Sequence, residues 1–394
     1  MFKILKYGAV GMLVVMMAAC KYDPLDNFTQ TFEILEDSTN GFSYFYKEAI
    51  EVSDGKYVAV GTVSDGFFTH FLLDKYSRDK SKLWNPGLQF GGNFIRGVAG
   101  IRELSSGDLA IAGTQSTSGV VIKTDSDGGQ VWTYLIDNSV HKYTKSSTIE
   151  DIDVDKDGNI VLLGVASFTS GPDAILFIKL RDNGSSYTEL IHESYPCSGQ
   201  NLILGSSGIQ SSADGQFVYV ATTAIPVNGV ILKLNAQNGD EIWRNTHFSG
   251  QRLYDVTTSS DGNSCYSVGE SDQGLLVVKI SSSNGALEDG WPRNYNGIAA
   301  YGVSTVRGSD EIVLTGTKAS GSSQAVAFYK IAADGTTVGS GNTYDGQNAL
   351  KDDSGFSITQ TGEGGFLIAG NSFQGADNHS AAYLIKVKPD GTFN

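Results

Sequence analysis

Short apolar runs punctuated by turn residues dominate the chain, and no long stretch repeats apolar residues at helical spacing. Runs of this length, rich in Val, Ile, Leu and Tyr and bounded by Gly, Asp, Asn or Ser, predict short β-strands. One such run recurs seven times: Lys56 to Gly61 (KYVAVG), Asp108 to Gly113 (DLAIAG), Asn159 to Gly164 (NIVLLG), Gln216 to Ala221 (QFVYVA), Ser264 to Gly269 (SCYSVG), Glu311 to Gly316 (EIVLTG) and Gly365 to Gly370 (GFLIAG). A second apolar run follows each copy and ends in lysine, at Lys75, Lys123, Lys179, Lys233, Lys279, Lys330 and Lys386, at intervals of 46 to 56 residues. Self-similarity at this period points to a repeat architecture.

The remainder of each unit is equally regular. Asp54-Gly55, Ser106-Gly107, Asp157-Gly158, Asp214-Gly215 and Asp261-Gly262 precede the first run, and Asp-Gly between apolar segments is a strong hairpin signal. Another strand lies upstream, as at Ile152 to Val154 and Val256 to Thr258. After the lysine, a second turn (Asp125 to Gly129, Asn235 to Gly239, Ala333 to Gly335) leads to a fourth strand marked by Trp84, Trp132 and Trp243. Four strands per unit and seven units predict an all-β fold, a seven-bladed β-propeller of four-stranded antiparallel blades over residues 28–394. The seventh unit ends with its turn and leaves no room for a fourth strand. Phe28 to Glu33, which alternates aromatic or β-branched with polar residues, is predicted to supply that strand, closing the ring and covering a sheet edge. A linear solenoid would need capping units, and none is legible.

The turn and tryptophan pattern of Asn235-Ala236-Gln237-Asn238-Gly239-Asp240-Glu241-Ile242-Trp243 resembles the repeats of quinoprotein-dehydrogenase-like propellers and of related envelope propellers that are not enzymes. The resemblance spans residues 28–394 and implies the fold; a shared fold does not carry a shared activity. The enzymes of that group use a buried quinone cofactor, a calcium ion and a catalytic acid, and some use adjacent cysteines, which this chain lacks.

The first residues are of a different kind. Met1 to Lys6 is basic, Ala9 to Ala19 is apolar apart from Gly11, and Cys20 follows. This is the order of a secretory signal, and the apolar run is shorter than the roughly 20 residues a spanning helix needs. Met17-Ala18-Ala19-Cys20 resembles the lipobox of bacterial lipoproteins, which implies cleavage before Cys20 and attachment of diacylglycerol to its sulfur. On that reading residues 1–19 are a signal peptide, 20–27 a lipidated tether, and the lipid is the only membrane contact. Lys21 resembles the outer-membrane sorting signal of enteric bacteria, and the tether weakly resembles those of surface-exposed Bacteroidota lipoproteins. The expected location is the cell envelope, periplasmic or at the surface.

Charge and chemistry narrow the partners. A formal net charge of −15 argues against nucleic acid or anionic lipid as the main partner, since both need a basic face. Cys197 and Cys265 stand in non-adjacent units and are expected to be unpaired, and the chain is expected to be a monomer. Asp153, Asp155 and Asp157 alternate as in a calcium loop, but a calcium loop's later acidic positions fall on Val161 and Gly164. A plain turn is the favoured reading, with a weak calcium site as the alternative and no other cofactor expected. The five histidines, His70, His141, His192, His247 and His379, show no metal-ligand spacing, though ring closure would make the loops of His70 and His379 neighbours. No serine-nucleophile elbow or phosphate-binding glycine loop is present. The seven lysines are read as structural, their stems lying on apolar neighbours while the ammonium groups reach water.

The candidate site is therefore the propeller face where the loops entering each first strand meet the loops between second and third strands. Those loops carry Phe67, Phe68 and His70 in blade 1, Phe94 and Arg96 in blade 2, Phe168 in blade 3, Arg252 and Tyr254 in blade 5, Tyr301 in blade 6, and Lys351, Asp352, Asp353 and Phe356 in blade 7. Aromatics beside Arg and Asp fit a protein segment or a sugar; taken singly, each aromatic is better explained by packing between blades, and it is the cluster that makes the candidate. Three functions follow: a non-catalytic protein-binding scaffold, favoured because no catalytic constellation is legible; glycan capture, which would need coplanar exposed aromatics; and an enzyme, a quinone-dependent dehydrogenase or a polysaccharide lyase or hydrolase, which would need converging carboxylates or a tight metal site at the mouth.

Overall fold

A computed structural model describes residues 32–36, 42–85, 87–91, 94–141, 145–197, 200–345, 352–373 and 380–393. Among them, 28 strands form seven four-stranded antiparallel sheets arranged as a seven-bladed propeller. The first strand, β1 (Phe32–Glu36), stands apart in sequence from its sheet. Blade 1 is β2 to β5 (Ser43–Glu51, Tyr57–Ser64, Thr69–Tyr76, Leu88–Phe90), and blade 2 is β6 to β9 (Ile95–Glu103, Leu109–Gln115, Ser118–Thr124, Gln130–Leu135). Blade 3 is β10 to β13 (Ser146–Val154, Ile160–Ser167, Ala174–Asp182, Tyr187–Pro196), and blade 4 is β14 to β17 (Leu202–Ser211, Phe217–Ala224, Asn228–Asn235, Glu241–Ser249). Blade 5 is β18 to β21 (Arg252–Thr258, Ser264–Ser271, Gly274–Ser281, Arg293–Tyr295), and blade 6 is β22 to β25 (Ala299–Thr305, Ile312–Ser320, Ser323–Ile331, Asn342–Tyr344). Blade 7 is β26 to β28 (Asp352–Gln360, Phe366–Phe373, Ser380–Val387) with β1 as its outermost strand.

The ring closes as expected, with an adjusted boundary. β1 pairs antiparallel with β28 from Phe32 opposite Lys386 to Glu36 opposite Ala382. The described closing strand, Phe32–Glu36, overlaps the expected Phe28 to Glu33; residues 28–31, like Cys20 and the rest of the N-terminal segment, lie outside the described residues.

The apolar runs are continuous because the middle strands are buried on both faces. Ile160 and Leu162 of β11 pack toward blade 2, while Val161, Leu163 and Val165 pack toward blade 4. Each of the seven hydrophobic clusters lies between two neighbouring blades, and the one joining blade 7 to blade 1 unites Leu367, Ala369, Ala382 and Leu384 with Tyr46, Tyr57 and Leu72. The core is a ring of seven inter-blade layers, with no single centre.

The lysines bind those layers by a means the sequence reading did not anticipate. Five of them, Lys75, Lys123, Lys179, Lys233 and Lys386, are buried and do not stand out into water, while Lys279 and Lys330 are half-buried. Along the chain, each of the first five donates to a turn carbonyl of the next blade: Lys75 to Ser126 (3.1 Å), Lys123 to Gly184 (2.9 Å), Lys179 to Ala236 (2.8 Å), Lys233 to Ser282 (2.9 Å) and Lys279 to Ala333 (3.1 Å). Most also meet an acid of their own blade, as in Lys179–Asp155 (2.7 Å), Lys330–Glu311 (2.7 Å) and Lys386–Glu363 (2.7 Å). The next blade's carbonyls are the orphan acceptors of a tight turn, and a buried cation satisfies them.

The register also corrects one copy of the repeat. Opposite the seven lysines stand Val58, Ala110, Val161, Tyr219, Tyr266, Val313 and Leu367, so the position held by glycine in six blades is Thr222 in blade 4, one residue beyond Ala221. A Cβ on Gly61 would lie 1.6 Å from the Phe45 carbonyl oxygen, and one on Gly370 would lie 1.9 Å from that of Ser354. The glycine makes room for a bulge in the innermost strand beside it.

Candidate functional site

Every innermost strand bulges. One residue falls out of register between Tyr46 and Glu48, Val98 and Gly100, Ile149 and Asp151, Leu253 and Asp255, Ala300 and Gly302, and Gly355 and Ser357. A bulge re-aims a side chain, and here the extra residues Lys47, Ala99, Glu150, Tyr254, Tyr301 and Phe356 all line the central channel. Blade 2 bulges a second time at Arg96, between Ile95 and Gly97. In blade 4 the irregularity is wider, running from Leu202 to Ser207. That width leaves space for Thr222, whose hydroxyl lies 2.8 Å from that of Ser207.

The bulged residues divide the channel. Lys47, Tyr254, Tyr301 and Phe356 border both an upper chamber of 580 Å³ and a lower one of 220 Å³. One wall of the upper chamber is aromatic: Phe45 to Phe356, Phe356 to Tyr301 and Tyr301 to Tyr254 have ring centroids 5.1, 5.3 and 5.0 Å apart. Arg96, Glu150, Thr62, Thr69, Thr114 and Thr148 also line the chamber. Gly205 donates its N–H to Glu150 (2.5 Å), pinning the blade 4 bulge across the mouth. Burial pushes the Tyr254 phenol up to about 12, so it is a neutral hydrogen-bonding group at physiological pH.

Below the bulges, acids clasp neighbouring blades. Glu48, Asp151 and Asp255 accept the N–H groups of Ile101 (2.8 Å), Ile209 (2.7 Å) and Val303 (2.8 Å), each on the next blade. Blades 2, 4 and 6 carry Gly100, Gly208 and Gly302 at the matching position, so acid and glycine alternate around six blades. Arg102 binds Glu48 (2.5 Å) and Asp153 (3.3 Å). Burial raises the Asp255 carboxyl to about 6, against the backbone N–H groups of Val303 and Val256 and the charge of Lys47. Asp151 is held well above the usual carboxylate range, chiefly by burial, with Asp255 and Glu48 adding repulsion and Arg102 opposing it.

The expected site residues fall into three groups. Arg96, Tyr254, Tyr301 and Phe356 line the upper chamber. Phe67, Phe68 and Phe94 stand exposed on its rim, Phe67 at 88% and Phe94 at 64%, with Phe68 and Phe94 edge to face. The others serve elsewhere: Phe168 packs on the layer between blades 2 and 3, Arg252 pairs with Glu270 (3.1 Å), Asp352 accepts the N–H of Gln324 (2.8 Å), Asp353 is buried in β26, and His70 sits half-buried in β4 opposite Val63. Lys351 and His379 lie outside the described residues.

Sequence reasoning missed Phe45, Lys47, Glu150 and the clasping acids. A signal for the last existed: Glu48, Asp151 and Asp255 each stand six residues before the aspartate of an Asp-Gly turn, Asp54, Asp157 and Asp261.

The three aspartates of the calcium-like segment face different partners. Asp153 meets Arg102, Gln210 and the Ser211 N–H; Asp155 meets Lys179 and Asn159; Asp157 meets Lys156. Cys197 and Cys265 are buried and unbridged.

The rim itself is apolar. The loops entering each blade and those between its second and third strands share one face, because the innermost strand runs away from it and the second returns. On that face Phe42, Phe67, Phe68, Phe94 and Phe373 of blades 7, 1 and 2 are exposed, as are Val140, Leu204, Ile225 and Ile298.

No family model matches the chain, and no curated protein matches it. Solved propellers do. The chain is similar to a structure of the mitotic checkpoint complex (10% identity, 90% of this chain and 98% of that chain, TM-score 0.54). It is also similar to a putative 6-phosphogluconolactonase from Bacteroides fragilis NCTC 9343 (14%, 81% and 97%, TM-score 0.53) and to the Dos1 propeller (8%, 86% and 77%, TM-score 0.52). At these identities the likeness is one of fold.

Proposed function

We propose that the protein is a non-catalytic binding scaffold of the bacterial cell envelope, held to the membrane by lipid on Cys20, which captures another protein on the rim of its channel. One observation carries this reading: five exposed phenylalanines, Phe42, Phe67, Phe68, Phe94 and Phe373, gather on three adjacent blades beside a chamber with an aromatic wall. Clustered exposed aromatics mark protein-binding surfaces. The charged residues of the chamber are Lys47, Arg96 and Glu150, a net cationic lining in a chain of net charge −15. The partner segment expected is apolar with an acidic residue that enters the mouth.

The rival readings find less support. The four aromatic rings tilt by 35° to 60° against one another, so they pack as a wall and offer no flat platform for a pyranose ring. The acids that converge below, Glu48, Asp151 and Asp255, each hold a neighbouring blade, and no described histidine lines the chamber.

Photo-crosslinking in intact cells tests the reading. A crosslinker at position 67 or 94 is expected to give a discrete protein adduct that Phe68→Ser diminishes, while one at Asp261 on the other face gives none. Equal adducts from both faces would refute it. Cys20→Ser is expected to move the protein from the membrane to the soluble fraction; retention in the membrane would remove the anchor from the proposal and leave the binding face untouched.

A further inference from the structure

We infer that the outer edge of blades 2 and 3 holds a binding site for a divalent transition metal ion, formed by His141, Glu189 and His192. The two histidines are 51 residues apart in sequence, yet their rings stack with centroids 3.5 Å apart and planes 11° from parallel. Glu189 Oε2 lies 3.2 Å from His192 Nδ1. One potential ligand atom from each residue lies within 4.8 Å of the other two.

The fold explains how three separated residues meet. In a strand, residues three apart point to opposite faces, so the spacing of Glu189 and His192 offers no ligand pair. β13 bulges between them: Lys179 faces Ile191 while Leu180 faces Glu189, leaving Leu190 out of register. The bulge returns Glu189 to the face of His192. His141 comes from the loop that follows β9, the outermost strand of blade 2, and lies over the edge of blade 3.

Two imidazoles and one carboxylate suit Zn²⁺, Ni²⁺, Co²⁺ or Cu²⁺, and fit poorly with Ca²⁺ or Mg²⁺, which take oxygen ligands. Tetrahedral ligands at Zn²⁺ are about 3.4 Å apart, from bond lengths of about 2.0–2.1 Å, so the set closes when one imidazole turns out of the stack and aims its in-plane nitrogen lone pair at the point the other two ligands share. His192 then carries its proton on Nε2 and presents Nδ1 to the metal. An outer contact to the carboxylate is already in place: the Tyr134 hydroxyl donates to Glu189 Oε2 (2.6 Å), the same oxygen that faces His192, and such a partner orients a ligating carboxylate. The site lies on the rim of the disc, distant in the fold from the channel, and three protein ligands leave a further position for water.

The test uses the full chain purified in detergent without a histidine tag. Titration calorimetry with Zn²⁺ alone is expected to show one site, absent with Ca²⁺ at the same concentration. His141→Ala and His192→Ala are expected to weaken binding by more than tenfold, and Tyr134→Phe by about tenfold or somewhat less. Glu189→Gln, which keeps shape and exposure, guards against loss through misfolding and is expected to weaken binding with an unchanged melting temperature in the absence of metal. With Co²⁺, visible d–d bands are expected in the wild type and lost in His192→Ala. Zn²⁺ binding of unchanged affinity in the His141→Ala, His192→Ala double variant, equal binding of Ca²⁺ and Zn²⁺, or no Zn²⁺ heat at all would each overturn the site.

Discussion

On the face of the disc that carries the Asp-Gly turns, the blades repeat one solution: a lysine ends the third strand, in five blades it donates to the next blade's turn, and in most it also meets an acid of its own blade. On the opposite face the loops differ from blade to blade in length and composition, and apolar side chains stand in solvent. Both faces come from the same repeat. Where a residue must meet its neighbour's copy of itself, repetition is enforced, since every interface is the same interface. Where the loops meet nothing within the chain, the constraint lapses and the sequence is available for a partner. Periodicity therefore marks the stabilising face, and departure from it marks the binding face.

The largest effect expected from disturbing this contrast is at the ring closure. Lys386→Met removes the nearer of two cations from the Glu363 carboxylate, itself only 6% exposed, and leaves Arg78 at 3.4 Å; weakening such a buried pair is expected to cost up to about 3 kcal/mol. Urea denaturation is expected to show that loss with crosslinking from position 67 retained. A cost below about 0.5 kcal/mol would mean that the latch is incidental.

The bulge and its glycine come next. Gly164→Ala puts a methyl 2.1 Å from the Thr148 carbonyl oxygen, and overpacking of this kind costs about 1–3 kcal/mol. Thr222→Ala at the equivalent place in blade 4 is expected to cost no more than about 1 kcal/mol, the value of its hydroxyl pairing. If the two variants were equally unstable, the wider blade 4 bulge would not be what admits a side chain there.

A smaller effect, on the order of 1 kcal/mol, is expected from Asp255→Asn, and it depends on pH. The Asp255 carboxyl is raised to about 6 in the folded protein. Its contribution to stability is thus fully present below the ordinary carboxylate range and is lost as pH rises through about 6. Asp151 acts in the same direction. Asparagine keeps an acceptor for the Val303 N–H and carries no charge, so the variant is expected to gain on wild type above pH 6 and to match it near pH 4. A difference independent of pH would show that the buried charge is not responsible.

The smallest stability effect belongs to the binding face. Phe67→Ser with Phe94→Ser is expected to stay within about 0.5 kcal/mol of wild type in stability while weakening partner capture at least tenfold. The pair separates the two faces most sharply, since Lys386→Met does the reverse.

The propeller was legible because a ring of like interfaces writes like residues at a similar interval: the seven lysines and the apolar runs set the blade number. Where that reading went astray, the cause was a local insertion. In blade 4 the extra residues between Leu202 and Ser207 relax the pressure on the facing strand, so the glycine gives way to Thr222 and the copy aligns one residue late. The channel residues were partly legible, as Arg96, Tyr254, Tyr301 and Phe356 sit in variable loops or just inside them. Phe45, Lys47 and Glu150 were hidden because bulges break the alternation by which a strand reveals its two faces. The same physics concealed His141, Glu189 and His192, whose spacing becomes meaningful only once Leu190 is out of register.

The pairing of β1 with β28 has a consequence in time. Phe32 and Lys386, opposite one another in the last blade, are separated by nearly the whole described chain. A ribosome or a translocation channel that delivers the polypeptide from its N-terminus releases β1 first and its partner strand last. For that interval the first strand has no native place to go, and the ring stays open however many blades have formed. Contacts between such distant segments are slow to find, so the final step of assembly is expected to be the docking of the earliest-made strand onto the latest-made one.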